Sequence, residues 1–282
     1  MLAVIGGTGI YSIDGLKVIE EHHVETPYGN PSAAIIRGEY CNKEILFLPR
    51  HGSNHSLLPS EVNYRANIWA LKKLGVKQII GLSAVGSLQQ EIKPGDLAIA
   101  DQYFDFVKSP REKTFFGQGL VAHVSTAEPT CNALADAISS AGKTCGVDIH
   151  RDKTYACVDG PRLGTKAESL FLKSAAQCDL VGMTNVPEVF LAREAQICYC
   201  TIGIATDYDC WQEDSSQHVT VEQVISRYGE SLAKAKTVLA AYIQGIDAQC
   251  SSGCNVALSS ALITPIEAMN DQQVSLYKVL SS

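Results

Sequence analysis

The amino-acid sequence predicts an α/β fold built on a sheet with parallel strands, covered by helices on both faces. Three observations point there. Short apolar runs alternate with amphipathic stretches along the chain, and alternating strand and helix is the pattern of such sheets. No break in composition, internal repeat or low-complexity tract divides the 282 residues, so a single domain over residues 1–282 is expected. A hydrophobic content of 46% is ample for a sizeable core.

The strands are read from LAVIG (2–6), AAIIRG (33–38), EILFLP (44–49), QIIGLSAVGS (78–87), DLAIADQYFDF (96–106), TYACVDG (154–160), DLVGM (179–183) and ICYCTIGIAT (197–206). A helix over SEVNYRANIWALKKLG opens on Ser60 as N-cap, keeps Val62, Ala66, Trp69 and Ala70 on one face, and stops at Gly75. A long helix opens on Thr220 with Gln223 three residues later, a capping box, and turns Val221, Val224, Tyr228, Leu232 and Leu239 inward. Shorter helices fit NALADAISSAG, KAESLFLKSAAQ and VPEVFLAREAQ.

A formal net charge of −7, with no Lys/Arg run longer than two, argues against nucleic acid as a partner. The start MLAVIGGTGI has no basic region ahead of it and is too short for a signal peptide, and no apolar run reaches the roughly 18 residues of a spanning helix. A cytoplasmic protein with no membrane partner is therefore expected. Ten cysteines then read as small buried hydrophobes in a reducing compartment. Cys250 and Cys254, in the polar loop CSSGC, fit a disulfide or half of a metal site. No second Cys/His pair lies at zinc-finger spacing, so the pair is read as incidental and no metal is expected.

Polar residues at the strand ends carry the chemistry, because ligands in such sheets collect where strands end. In VIGGTGIYS a glycine turn brings backbone N–H groups and the Thr8 hydroxyl toward an anion, or is simply a tight turn. As a dinucleotide fingerprint it is incomplete, since Ser12 stands at the third glycine position. In PRHGSNH, Arg50 offers a planar fork for a bidentate oxyanion and His51 a further donor. In GLSAVGSL, Ser83 offers a hydroxyl and its N–H; in GMTNVPEV, Met183 is a flexible apolar surface and Thr184 one more hydroxyl.

Asp207 and Asp209, in ATDYDCW, sit two apart at the end of the most apolar run, so an extended chain points both the same way. They cap a turn, or they form an acid pair in which one carboxyl has a raised pKa and donates a proton near neutrality.

The stretches GGTGIY, PRHG, PSEVNYRANIWALK, SAVGSL, IKPGDL, DGPR, GMT, VPEV and ATDYDCW, in that order, resemble the trimeric purine nucleoside phosphorylases over roughly residues 1–245; the tail beyond about residue 250 carries less of the match. The resemblance implies a mixed central β-sheet flanked by helices, and phosphorolysis, in which inorganic phosphate displaces a purine from C1′ of a nucleoside. It implies phosphate at Thr8, Arg50, His51, Ser83, Ala84 and Thr184, with Met183 under the ribose. Asp207 and Asp209 would face the purine, Leu163 would lie against the base, and His123 would complete the site of a neighbouring subunit in a homotrimer or higher assembly. The resemblance implies Asp207 as the catalytic acid at N7. Phosphate is a co-substrate, and neither metal nor organic cofactor is implied.

Two features bear on the substrate. Asp207 stands where relatives acting on 6-oxopurines tend to have asparagine, and Gly164 where they have glutamate, which favours a 6-aminopurine. Val221 stands where they carry a histidine for the 5′-hydroxyl, which suits a methylthio group. Together these favour 5′-methylthioadenosine, with methylthioinosine, inosine and adenosine as alternatives. Leu163 replaces an expected aromatic, Gly164 a serine and Ser83 a threonine. The remote rivals are an NAD-dependent oxidoreductase resting on GGTG, against which the missing third glycine counts, and a non-catalytic nucleoside sensor, which has no need of a phosphate site.

Overall fold

The computed structural model describes residues 1–7, 15–212, 221–245 and 250–282, and of residues 221–227 and 230 the backbone only. Among the described residues nine strands form one sheet: β1 (Leu2–Gly6), β2 (Lys17–His22), β3 (Ile35–Tyr40), β4 (Lys43–Pro49), β5 (Gln78–Ser87), β6 (Leu97–Asp105), β7 (Ile149–Cys157), β8 (Leu180–Gly182) and β9 (Cys198–Asp207). Their order is β2-β3-β4-β1-β5-β8-β7-β6-β9, and β9 also pairs with β5. Strands β5, β8, β7, β6 and β9 therefore close a ring, with β1 to β4 extending from it as a wing.

The sheet is mixed. β1 runs parallel to β4 and β5, β5 to β9, and β7 to β6 and β8. The pairs β2/β3, β3/β4, β5/β8 and β6/β9 are antiparallel. Strand–helix alternation points to the parallel pairs alone. The antiparallel ones come from the β2-β3-β4 meander, which needs no crossover, and from the seams that close the ring.

Among the described residues six α-helices flank the sheet: α1 (Tyr64–Lys73), α2 (Asn132–Thr144), α3 (Lys166–Leu170), α4 (Asn185–Glu194), α5 (Val221–Gln244) and α6 (Asp271–Ser281). The period-2 geometry of strands splits the core in two. Ala3 and Ile5 of β1 join Ile68 of α1, Val189 and Leu191 of α4 and Leu280 of α6. Leu2 and Val4 of the same strand join Leu134 and Ile138 of α2 and Leu232, Val238 and Leu239 of α5.

Several boundaries differ from those read in the sequence. The N-cap of α1 is Asn63, not Ser60: its side chain accepts from the Ala66 N–H at 3.2 Å. Gly75 ends that helix as expected, with φ +79. β2 was not anticipated, because KVIEEH is a charged edge strand with exposed side chains and carries no apolar alternation. β7 begins five residues ahead of its expected start, in the polar IHRDK, and ends at Cys157. The strand and helix expected in ICYCTIGIAT and NALADAISSAG are β9 and α2. The capping box at Thr220 lies outside the described residues, as do the side chains of Val221 and Val224; Leu232 and Leu239 are buried as expected.

Candidate active site

A cavity of about 800 Å³ opens at the ends of β4, β5 and β9 and is walled by the segment that follows β7. It gathers residues that are far apart in sequence, among them Arg50, His51, Ser83, Ala84, Leu163, Met183, Thr184, Asp207 and Asp209.

The anion-donor side is built on strand ends, except at Ser83, which lies inside β5, four residues short of its end, because the strand continues through AVGS in its pairing with β9. Arg50 follows β4 directly, and its N–H donates to the Gly6 carbonyl at 2.9 Å, which continues the β1/β4 ladder. Its side chain is 1% exposed. The fork expected to meet an oxyanion in bidentate fashion is instead closed on Glu188: Nε donates to Oε2 and Nη2 to Oε1, both at 2.7 Å. Nη1 donates to the Leu82 carbonyl at 2.9 Å. Burial works against the guanidinium charge, but Glu188 outweighs it and holds the pKa above its ordinary value. Arg50 thus enters the cavity wall as one half of a neutral ion pair with little free donor capacity. Glu188, central to this arrangement, was missed in the sequence. Its only signal is an acid inside the apolar stretch VPEVFLA.

His51 is also buried. Its Nδ1 lies 2.8 Å from the Leu57 carbonyl, which only accepts, so Nδ1 carries the hydrogen. Burial first, then the Arg50 charge, lower its pKa to about 4, with the Leu57 contact opposing. The ring is therefore neutral near pH 7 and its Nε2 is an acceptor, not the extra donor expected.

Ser83 on β5 and Thr184, the N-cap of α4, bring their hydroxyl oxygens to 3.3 Å, and both side chains are buried. The Met183–Thr184 turn is held by Arg111, another residue unremarked in the sequence. Its Nη1 donates to the Met183 carbonyl at 2.7 Å and the Val186 carbonyl at 2.9 Å, and its Nη2 to the Asp159 carbonyl at 2.9 Å. Met183 packs against Gly160, where a Cβ would collide with its Sδ, and the φ of +63 at Gly160 also favours glycine.

The carboxylates stand at the end of β9. Asp207, the last residue of the strand, is 8% exposed. Its Oδ2 accepts from the Thr206 hydroxyl at 2.5 Å and its Oδ1 from the Asp209 N–H at 2.7 Å. The turn-capping interaction and a carboxylate in the cavity wall are thus both present. A register shift at Val85/Gly86 sets Gly86 opposite Asp207. A Cβ on Gly86 would lie 3.1 Å from Asp207 Oδ1 and 3.2 Å from Asp209 Cβ, so the absent side chain makes room for both acids. Burial above all raises the pKa of Asp209; the Ser169 hydroxyl and Cys210 N–H oppose this and the Glu168 charge adds to it. The raised carboxyl described in the pair is thus Asp209.

The remaining wall is the loop 158–168. Leu163 is 48% exposed. Arg162 donates from Nη1 and Nη2 to the two oxygens of Glu168 at 2.8 and 2.7 Å. Glu168 in turn closes the capping box of α3 with Thr165. Phe106 and Lys108 line this side as well. His123 is exposed and does not line the cavity of its own chain. Thr8 and the side chain of Val221 lie outside the described residues.

A closed-ring α/β sheet that holds anion donors and buried carboxylates in one cavity defines a class. The chain belongs to the phosphorylase superfamily, whose sequence model matches residues 1–244. It is 47% identical over 267 residues to the S-methyl-5′-thioadenosine phosphorylase of Hyperthermus butylicus, an alignment covering 93% of this chain and 95% of that one. It is similar in structure to a methylthioadenosine phosphorylase sourced from an antarctic soil metagenomic library, with a TM-score of 0.92, 42% identity, and 99% and 98% of the two chains covered. It is also similar to the methylthioadenosine phosphorylase of Schistosoma mansoni solved in complex with adenine, with a TM-score of 0.87, 33% identity, and 93% and 98% covered.

Proposed function

We propose that this chain catalyses phosphorolysis of 5′-methylthioadenosine, yielding adenine and 5-methylthioribose-1-phosphate. The observation that carries this reading is the cavity itself, which has Arg50, His51 and the Ser83/Thr184 hydroxyl pair on one side and the Asp207/Asp209 pair on the other. The names of the similar proteins agree with it.

In this reading phosphate sits against Ser83, Ala84, Thr184 and His51, beside the Arg50–Glu188 pair. The neutral His51 ring accepts the hydrogen of a singly protonated phosphate through Nε2. A phosphate oxygen forms a bond to C1′ as the C1′–N9 bond breaks, and the electron pair of that bond passes to the purine. The sugar gains positive charge, which the phosphate stabilises from below, and Met183 packs against the ribose. Asp207 delivers a proton to N7 of the departing base. Asp209, whose pKa burial raises, stands beside it as a second carboxyl. An apolar residue at position 221, where 6-oxopurine relatives carry a histidine, suits a methylthio group.

His123, exposed on its own chain, suits a role in a neighbour's site. The assembly is then a homotrimer with heterologous contacts, and residues 1–282 act as one domain of a cytoplasmic enzyme. Among the described residues no helix is long and apolar enough to cross a membrane. A second reading, a phosphorylase of methylthioinosine, inosine or adenosine, is favoured by the open base side, where Leu163 is half exposed. Release of adenine from methylthioadenosine, with and without phosphate, tests the main reading. Adenine should appear only with phosphate, and release at full rate without it would make the chain a hydrolase.

A further inference from the structure

At the opposite end of β9 from Asp207 the fold assembles a group of side chains that the reaction does not use. Cys131, Cys198, Cys250 and Cys254 bring their four sulfur atoms within 4.8 Å of one another. Spacing along the chain hides this set. Cys250 and Cys254 are neighbours in CSSGC, but their companions lie in two distant elements: Cys131 is the N-cap of α2, and Cys198 is the first residue of β9. The absence of a second pair at zinc-finger spacing therefore says nothing about the fold, which supplies one by packing.

We propose that these four cysteines form a structural site for one zinc ion. Four thiolates at about 2.3 Å from a tetrahedral ion stand about 3.8 Å apart, within the observed separation, and all-thiolate ligation selects a soft ion such as zinc. The C-x-x-x-C spacing of Cys250 and Cys254 is within the range common in zinc sites. Gly253, with φ +67, gives that loop the left-handed turn that carries Cys254 back toward the sheet.

The frame around the sulfurs is rigid. The Cys131 N–H donates to the Tyr199 carbonyl at 2.9 Å, and the Cys198 N–H to the Lys77 carbonyl at 3.0 Å. The Ser252 hydroxyl accepts the Ala133 N–H at 3.2 Å and so ties the CSSGC loop to the first turn of α2. Cys131, Cys198 and Cys254 are 1%, 5% and 1% exposed, while Cys250 is half-buried.

The charge of the centre is also met. A divalent ion with four thiolates carries a net charge of −2. The Arg193 guanidinium, from the last turn of α4, places Nη1 3.2 Å from Cys254 Sγ. The N-terminus of α2, the positive end of the helix dipole, lies at Cys131. Donors to the ligand sulfurs of this kind orient and stabilise metal-bound thiolates.

With all four positions supplied by protein, the ion has no place for a substrate and acts by joining elements. It would anchor the segment after α5 to the start of β9 and to α2. Cys198 and Asp207 bound a strand of ten residues, which spans roughly 30 Å, so the site is remote from the cavity.

The test is metal analysis of the full-length chain, purified under reducing conditions with zinc present and then dialysed. The expected result is about one zinc per chain, falling to near zero in Cys254→Ser and unchanged in Cys41→Ser, whose thiol lies outside the cluster. Cobalt substituted into the wild-type chain should give the intense absorption of tetrahedral thiolate ligation. Cys254→Ser should also lower the thermal midpoint by several degrees while the folded fraction still releases adenine. If Cys254→Ser fails to fold, the zinc content and cobalt spectrum of the wild-type chain decide alone. Reduced wild-type chain that takes up no zinc, or metal-free chain whose four thiols are paired as disulfides, would overturn the site.

Discussion

The two sides of the cavity are built on different principles. On the anion-donor side the side chains of Arg50, His51, Ser83 and Thr184 are buried; Arg50, His51 and Thr184 follow strand ends, and Ser83 stands inside β5. On the other side Leu163 is 48% exposed, and the Arg162–Glu168 pair that shapes the loop is open to solvent. A phosphate site asks the same of every substrate, so a rigid, pre-oriented frame is an advantage there. A base and 5′-substituent vary among nucleosides, and a loop can be altered without disturbing the sheet. In the proposed reading the buried side serves phosphate, and the exposed loop around Leu163 is where the base side can vary.

Breaking the buried half should have the largest effect, and on stability before catalysis. Glu188→Gln leaves the Arg50 charge buried without its partner, and losing one member of a buried pair costs about 3–5 kcal/mol. Urea unfolding should show a midpoint far below wild type. An unchanged midpoint would mean that the pair does not hold this side together. Arg50→Ala carries the same penalty, so a raised KM for phosphate in that variant must be read alongside its folded fraction.

The acids come next. Asp207→Asn should lower kcat for methylthioadenosine by a factor on the order of a hundred, since an amide transfers no proton to N7. It should also raise the ratio of inosine to adenosine kcat/KM, because the amide donates to O6. Asp209→Asn should lower kcat less. Steady-state kinetics on both substrates separates the two, and wild-type values in Asp207→Asn would reduce the pair to a capped turn.

His51 sets a pH dependence of the unliganded fold. Its folded pKa of about 4 lies below the roughly 6.5 of an unfolded histidine, so between these values the unfolded chain binds the extra proton. Stability is therefore fully present above about pH 6.5 and declines as pH falls toward 4, by about 1–3 kcal/mol from this group. His51→Gln should flatten that part of the stability profile, and an unaltered slope would assign it to other groups.

Ser83→Ala removes one neutral hydrogen bond to phosphate and should raise the phosphate KM by about two- to tenfold, with little change for the nucleoside. The smallest effect belongs to the exposed side. Leu163→Phe supplies an aromatic face for the purine and should lower the nucleoside KM by about two- to fivefold without altering kcat or stability. If Leu163→Phe instead destabilises the chain as Glu188→Gln does, the contrast between the two sides fails.

Much of this was legible in the sequence, for a definable reason. A strand such as QIIGLSAVGS is recognised by composition alone, because a segment covered on both faces has no polar side to confuse the pattern. The strand-end positions of Arg50 and Asp207 were legible too, since they follow or end apolar runs, where a polar group needs a reason; Ser83 proved to lie inside its strand. The edge strand KVIEEH was not, because its charges serve to discourage pairing and mask its alternation.

By itself, then, the sequence determined the α/β class, most of the sheet and the set of polar groups at the strand ends, all of which follow from local periodicity and chain order. Only the tertiary structure decided how those groups are used. Arg50 turns its fork to a glutamate 138 residues away, His51 gives its one hydrogen to the Leu57 carbonyl, and Asp209 is the acid whose pKa burial raises. Ring closure between β5 and β9 decided that Gly86 lies against both acids, and packing of α2 against the start of β9 brought Cys131 and Cys198 to Cys250 and Cys254. Partners at such separations are set by the topology of the sheet, and the pairing of any two side chains across it leaves no mark on the periodicity of either segment.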